Sequence, residues 1–479
     1  MSKTYKVPGV YIEEVNKFPI SVADVGTAIP AFIGRTQFYR DENGLEIVRS
    51  ENVKPKPIRI NSFLDYQKHF GGFCSEHQIF TTIVTDTTDI AGVIISRKIK
   101  STVNKTLLSG NYMYYAIQMF YGNGGGPCYI ISTGDYSSTF NNENGDVALE
   151  ASSKVDEVTM LIFTDKHAEN DGIRTGYKLL YGKALNECKK LGDRIAIFDP
   201  WIVSGNTYID ADIIRADFEN NNLEYGCTYY PWLQTTMFYG YNGDELIISH
   251  KNGSINGAFD GMNLTAIKAI DSNTYELIKA EVNNNKIDLP PSSAVAGIMV
   301  HVDNNRGVWK APANETIIMT TLPTVKVTSD QQESLTIDTT TGKSINVIRF
   351  FPERGTIIWG ARTLKGNDNE WKYISVRRFF NYVEESIKKS TGFVVFEPNE
   401  ASTWIKVKSM CDNFLNQLWR NGALQGAKPN EAFFVNIGLG VTMTNIDILE
   451  GKIIIEIGLA AVRPAEFIIL RFSCRTQSS

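Results

Sequence analysis

Apolar and polar positions along the chain sort into short strand-like and helix-like runs. Val158-Thr159-Met160-Leu161-Ile162-Phe163 is apolar enough for a buried strand. Tyr177, Leu180, Tyr181, Ala184, Leu185, Cys188 and Leu191 then recur on one helical stripe, and Arg194-Ile195-Ala196-Ile197-Phe198 returns to the strand pattern. Strand, helix and strand in that order predict a parallel βαβ crossover. Just upstream, Tyr112, Tyr115, Ala116, Met119 and Phe120 predict a helix, which the glycine run Gly122-Asn123-Gly124-Gly125-Gly126-Pro127 ends, and Cys128-Tyr129-Ile130-Ile131 predicts another buried strand.

Further along, Phe238 to Asn285 is polar, rich in Asn and Gly and weakly periodic, which predicts a surface elaboration or a small inserted module. Thr324 to Asn346 is β-prone, with Asp338-Thr339-Thr340-Thr341-Gly342 as a turn between two extended pieces, and a domain boundary is placed near Ser344. Beyond it Val376, Phe379, Phe380, Val383 and Ile387 form one amphipathic helix. Trp404, Val407, Cys411, Phe414, Leu415 and Leu418 form another, after the acidic cap Glu397-Pro398-Asn399-Glu400. In Lys452 to Leu459, Ile453, Ile455, Ile457 and Leu459 share one face against Lys452 and Glu456, a half-buried strand.

Both ends carry short β-prone segments set off by proline. Val10, Tyr11, Ile12, Glu13 and Val15 lie between Pro8 and Pro19, and after Pro464 the residues Ile468, Leu470, Phe472 and Cys474 alternate with Arg471 and Ser473. A lone strand's amides and carbonyls need partners, so each segment either folds back or completes a neighbour's sheet. The fold class is therefore mixed α/β: an N-terminal arm at 1–25, an α/β body at 26–344 with its elaboration at 238–285, and a C-terminal α+β domain at 345–479 that ends in an arm at 464–479.

Composition narrows the function. With 479 residues, 43% hydrophobic and 21% charged, the chain is long enough for two cores and excludes general disorder. A net charge of −5 offers no basic field for nucleic acid, so protein surfaces are the expected partners. No run of eighteen apolar residues and no signal-like start appear, which predicts assembly in the cytoplasm without membrane insertion.

Candidate chemistry is thin. Six cysteines include no Cys-x-x-Cys pair, and five histidines include no i, i+4 pair, so no metal site is expected. No Gly-x-Ser-x-Gly elbow occurs. The Gly122 run follows a helix, whereas a phosphate loop precedes one, so it reads as a helix-ending turn. Asp193, Arg194 and Asp199 near strand ends could form an acid/base pair but fit a structural ion pair equally, and Arg362 in Trp359-Gly360-Ala361-Arg362-Thr363-Leu364 reads as a buried or interfacial anchor. No catalytic residue and no cofactor are expected.

Specific strings, in order along the chain, add a family. Tyr5-Lys6-Val7-Pro8-Gly9-Val10-Tyr11-Ile12-Glu13-Glu14-Val15 with Val25 to Gly34, Tyr225 to Leu233, Leu289 to Gly297, Asp303 to Asn314, Trp359 to Leu364 and Arg463-Pro464-Ala465-Glu466-Phe467 resemble the contractile tail sheath family. Arg40 to Lys54, Thr82 to Asn104 and Phe238 to Asn285 fall outside the resemblance. The absence of large extra domains makes the chain more similar to sheaths of extracellular contractile injection systems than to those of large myophages, and the two-protein type VI sheath is less similar at the arms.

The resemblance implies a structural protein rather than an enzyme: a homo-oligomer of stacked rings around an inner tube protein, bounded by baseplate and terminator or cap proteins. It implies a part of a phage tail or of a tail-like particle released from the cell. It further implies that Val10 to Val15 and Phe467 to Cys474 are arms donated between subunits, that Ile453, Ile455 and Ile457 mark the acceptor strand, and that the helix with Lys406, Lys408 and Arg420 faces the tube. A cytosolic α/β enzyme using Asp193, Arg194 or the Gly122 loop, and a capsid-like or baseplate-like structural protein, are the alternatives.

Overall fold

The computed structural model describes residues 22–41, 44–47, 55–138, 142–165, 171–201 and 208–467. These fall into two compact units, one built from Gly26–Tyr382 and the segment after Val462, the other from Val383–Val462 and the segment ending at Val25. The strands of the larger unit are β1 (Pro30–Gly34), β2 (Ile58–Ile60), β3 (Phe80–Thr88), β4 (Ile94–Val103), β5 (Cys128–Ser132), β6 (Met160–Phe163), β7 (Ile195–Phe198), β8 (Gly226–Tyr230) and β9 (Leu233–Phe238). They continue with β10 (Ile248–Asn252), β11 (Ile255–Asn256), β12 (Lys286–Leu289), β13 (Thr320–Pro323), β14 (Asn346–Phe351) and β15 (Gly355–Ile358). Its helices are α1 (Phe63–Phe70), α2 (Met113–Gly122), α3 (Asn142–Ser152), α4 (Asp171–Leu191), α5 (Ala211–Arg215), α6 (Leu264–Ile270), α7 (Ser272–Asn283), α8 (Ser292–Arg306) and α9 (Ser329–Thr336). Helix α10 (Ile374–Ser390) contains the point of division, and the smaller unit continues with α11 (Ala401–Arg420), α12 (Pro429–Ala432), β16 (Phe433–Asn436), α13 (Asn445–Leu449) and β17 (Glu456–Leu459).

An eight-stranded sheet in the order β15-β14-β8-β7-β6-β1-β5-β2 is the frame of the larger unit. Six neighbours from β14 to β5 run parallel, and β15 and β2 close the two edges antiparallel. The pleat sends alternate side chains to opposite faces: Phe32, Ile162 and Ile197 lie on one, Ala31, Leu161, Phe163 and Phe198 on the other. Helices α2 and α8 pack with the first set, α3 and α4 with the second. Because both faces are covered, the strands read as unbroken apolar runs, which is why they were visible in the sequence. The expected crossover is present as β6-α4-β7, with Met160 beside Ile195.

Three expectations need amending. Residues 238–285, expected as a surface elaboration or a small inserted module, are an ordered part of the larger unit: they supply β10 and β11 to a four-stranded sheet ordered β11-β10-β3-β4 and add α6 and α7, with Ile248, Phe259, Leu264 and Ile278 buried. The Asn- and Gly-rich composition hid these helices, and the Asn and Asp residues that read as loop are in fact their caps. Asn263 accepts from the amide of Ala266, and Asp271 from those of Asn273 and Thr274. The element is also riveted by charge: Asp86 on β3 takes a two-point bond from Arg97 on β4 (2.7 and 2.8 Å) and a third contact from His250 Nε2 on β10 (3.0 Å).

Within the stretch expected to be extended, Ser329–Thr336 is helical, started by a reciprocal cap between Thr328 and Gln331. The turn at Asp338 is as expected, its carboxylate accepting from the amides of Thr340 and Thr341. Finally, β14 pairs with β8 (Asn346 beside Tyr229), so the chain past Ser344 stays in the large sheet, and the contact division comes between Tyr382 and Val383. The first half of α10 is tied into the larger unit by a buried fork from Arg378 to Asp303 on α8 (3.0 and 2.6 Å).

The glycines of the α2–α8 contact explain how closely the two helices approach. A Cβ on Gly297 would lie 2.6 Å from the carbonyl oxygen of Phe120, a backbone atom that has no rotamer to escape into. In Gly297→Ala the helix-propensity gain of about 1 kcal/mol is outweighed by overpacking of about 1–3 kcal/mol. The expected outcome is a lower thermal midpoint, and an unchanged or raised one contradicts the close packing.

Candidate functional site

The chemical candidates are absorbed into structure. Arg194, 1% exposed, forks onto Asp193 (2.7 and 3.1 Å) and donates to the carbonyls of Ser152 and Val155 (3.0 and 3.1 Å). Asp199, at the end of β7, accepts from the amide and hydroxyl of Ser292 at the start of α8 (2.9 and 2.6 Å). In the Gly122 run the amides of Gly124 and Gly125 are spent on the carbonyls of Tyr121 and Phe120, and Gly124 adopts φ +92° against His301. Such amides are not free to cradle an anion.

Burial pushes the thiols of Cys128 and Cys227 up to about 12 and that of Cys411 up to about 11, so they fill space as thiols. Among the described residues no cluster of His, Cys, Asp and Glu suits a metal, and no helix is long and apolar enough to cross a membrane. His167 and Cys474 lie outside the described residues.

The smaller unit offers a different kind of site, made of backbone. Strands β16 and β17 form a two-stranded antiparallel sheet, Phe433 opposite Leu459 and Asn436 opposite Glu456, and among the described residues no third strand joins it. The sequence placed a strand over Lys452 to Leu459, but the ladder begins only at Glu456. Residues 453–455 carry no ladder pairing among the described residues, although the expected alternation persists: Ile453, Ile455 and Ile457 are half-buried, Ile454 and Glu456 exposed. The Phe434 ring lies over Gly458, where a Cβ would sit 2.1 Å from the ring, so any side chain there would have to displace it.

Helix α11 packs against β16 through a buried stripe that includes Val407, Cys411, Phe414 and Leu418. No side chain caps its start, and Glu400 instead accepts from the Ser402 hydroxyl while Asn399 accepts from the Trp404 indole. The three candidate charges separate. Lys406 and Arg420 share an exposed polar face with Ser402, Asn413 and Gln417. The Lys408 ammonium lies on another side, donating to the Val435 carbonyl and 3.4 Å from Asp412.

The arm residues Val10, Tyr11, Ile12, Glu13 and Val15, and Ile468, Leu470 and Phe472, lie outside the described residues, but the chain leading to each is placed. On the N-terminal side, within the smaller unit, the amides of Ala23 and Val25 donate to the hydroxyls of Ser390 and Ser386 on α10 (3.1 and 3.4 Å). On the C-terminal side, within the larger unit, Arg362 makes a two-point ion pair with Glu466 (2.8 and 2.6 Å), and the Tyr373 hydroxyl donates to the same carboxylate (3.2 Å).

This arrangement has known counterparts. The family model described as the phage tail sheath C-terminal domain matches residues 366–475. The tail sheath protein of Vibrio phage KVP40 is 22% identical over 159 residues, which is 33% of this chain and only 23% of that protein. Among solved structures, the sheath of the anti-feeding prophage in its contracted state is 30% identical with a TM-score of 0.63, covering 98% of this chain and 99% of that one. The sheath of PVC, an extracellular contractile injection system, also in the contracted state, is 30% identical with a TM-score of 0.61 and 98% coverage of both chains. The chain belongs to the contractile tail sheath family.

Sheath membership shifts attention to the edges and ends. Reading the sequence named Arg362 as an anchor but missed its partners. Glu466 stood in view inside Arg463-Pro464-Ala465-Glu466-Phe467, a charged residue where an arm begins, and that juxtaposition was the available signal. Burial alone pushes the Glu466 carboxyl up, but the Arg362 fork, with Tyr373 and Lys372, outweighs it and holds the carboxyl below the usual glutamate range.

A depressed carboxyl contributes stability above the ordinary glutamate value and loses it as acid takes the pH through the folded one. The melting midpoint of the parent is therefore expected to fall more steeply than that of Glu466→Gln below about pH 4. Two curves that stay parallel through that range contradict it.

Proposed function

We propose that this sheath-family chain polymerises as stacked helical rings around an inner tube, and shortens from a metastable extended state to drive that tube through a target envelope. The observation that carries the reading is the β16–β17 sheet, which has two strands among the described residues and one adjoining bridge at Leu424–Ala461, in a chain that is alike over nearly its whole length to sheaths seen contracted. A two-stranded sheet is marginal by itself. Strands donated by neighbours, Val10 to Val15 from one copy and Phe467 to Cys474 from another, would complete it by β-augmentation.

Each added backbone hydrogen bond is worth about 0.5–1.5 kcal/mol net, so a few residues of ladder hold two subunits together without rigid packing of their bodies. The bodies are then free to change partners during contraction while the ladders stay paired. No nucleotide is consumed, since the free energy is stored when the extended packing is assembled. Baseplate and cap proteins close the ends of the stack.

Of the α11 charges, Lys406 and Arg420 on the exposed polar face are the proposed tube contacts. Reversing both, Lys406→Glu with Arg420→Glu, is expected to leave a folded monomer whose cylinders no longer retain the inner tube protein in a co-sedimentation assay. Undiminished co-sedimentation removes this face from the tube interface.

The reading as a whole is tested by negative-stain electron microscopy of the purified chain. The parent is expected to form striated cylinders, and a chain lacking Met1 to Asn16 to remain a folded monomer that forms none. Normal cylinders from the shortened chain defeat strand donation by the N-terminal arm.

A further inference from the structure

We infer that the Arg362–Glu466 ion pair, braced by the Tyr373 hydroxyl, is a positioning site that fixes where the C-terminal arm leaves the larger unit and thereby sets the register of its donated strand. The inference rests on the sheath reading above and adds to it a named residue set that controls strand exchange.

The receiving side of the clamp is rigid. Arg362 is 4% exposed at its side chain, and its backbone is gripped at both polar atoms by one asparagine: Asn346 Oδ1 accepts from the Arg362 amide (2.7 Å) and Asn346 Nδ2 donates to the Arg362 carbonyl (2.8 Å). The same Nδ2 reaches the Thr228 carbonyl on β8 (3.1 Å), so the guanidinium is referenced directly to the eight-stranded sheet. Tyr373 is paired with Arg362 by an antiparallel bridge, and Thr363 and Ile374 bond to Lys372 and Ala361 on either side of it.

The held side lies at the surface. Arg463, Ala465 and Phe467 are exposed, and the Glu466 carboxylate is where this segment meets charge and hydrogen-bond donors together. Pro464 stiffens the approach. A two-point guanidinium–carboxylate bond fixes direction as well as distance, which a single ammonium contact or a neutral hydroxyl bond does not.

Fixing Glu466 matters because the alternating arm starts only two residues beyond it. Ile468, Leu470 and Phe472 share one face of that run. A slip of one residue advances a strand by about 3.3 Å and turns its whole apolar set to the opposite face of the sheet it joins. An arm with a loose root samples both registers, whereas an arm rooted at a forked ion pair presents one.

The test uses the full chain, its melting midpoint as monomer and its yield of striated cylinders in negative stain. Glu466→Gln is expected to melt within a few degrees of the parent at neutral pH but to give about tenfold fewer cylinders. Tyr373→Phe, which keeps the ion pair and loses only the brace, is expected to give about threefold fewer at an unchanged midpoint. Loss of cylinders without loss of monomer stability separates positioning from general structural support.

A parental cylinder yield from Glu466→Gln overturns the inference. If that variant does not fold, a parental yield from Tyr373→Phe overturns it instead. A parent chain that forms no cylinders takes the inference down together with the sheath reading, an outcome told apart by the parent sample alone.

Discussion

A β-strand presents hydrogen-bonding groups along both of its edges, and a polypeptide must find partners for all of them or leave them to water. The larger unit meets this demand internally, with eight strands whose parallel centre is covered on both faces and whose two outer strands turn antiparallel. The smaller unit contains two paired strands, prolonged past β17 by a single antiparallel bridge from Leu424 to Ala461, and among the described residues no third strand. In the proposed sheath the same bond that completes a fold also joins one molecule to the next, so folding and polymerisation become two stages of one process.

The buried charges of the larger unit share a consistent logic. Arg194, Arg362 and Arg378 each reach a carboxylate through a fork and spend a further donor on a backbone carbonyl. Such pairs add little to stability compared with well-packed apolar residues, but breaking a fully buried one, as at Arg194 or Arg378, by removing a single partner costs about 3–5 kcal/mol. At Arg362 the Glu466 carboxylate is 21% exposed, and water compensates part of its loss. They are better understood as locators. They hold loop ends, a helix and the departing chain in one place, around a sheet whose apolar interior cannot specify position so sharply.

The sheet itself was legible because it is parallel and buried on both sides. Ile195 to Phe198 and Met160 to Phe163 have no polar face to confuse the pattern, and α4 and α11 kept their stripes over many turns. What was hidden had a local cause in each case. The caps Asn263 and Asp271 looked like loop composition, and the Thr328–Gln331 box lay in a stretch whose threonines and valines suggested strand. The boundary near Ser344 misjudged a strand, β14, whose partner β8 lies more than a hundred residues earlier, and no local pattern announces a pairing of that range. The clamp at Arg362 was half visible for the same reason: its carboxylate arrives 104 residues later.

Helix α10 is shared, its first half belonging to one unit and its second to the other, and the chain passes between them again at Val25 and at Val462. The smaller unit is thus not a contiguous cassette. Recombination between sheath genes cannot transplant it with a single crossover pair, and an engineer who wishes to exchange the larger unit for another must preserve three junctions at once, one of them in the middle of a helix. Such a chain is expected to diversify within each unit rather than by shuffling whole domains.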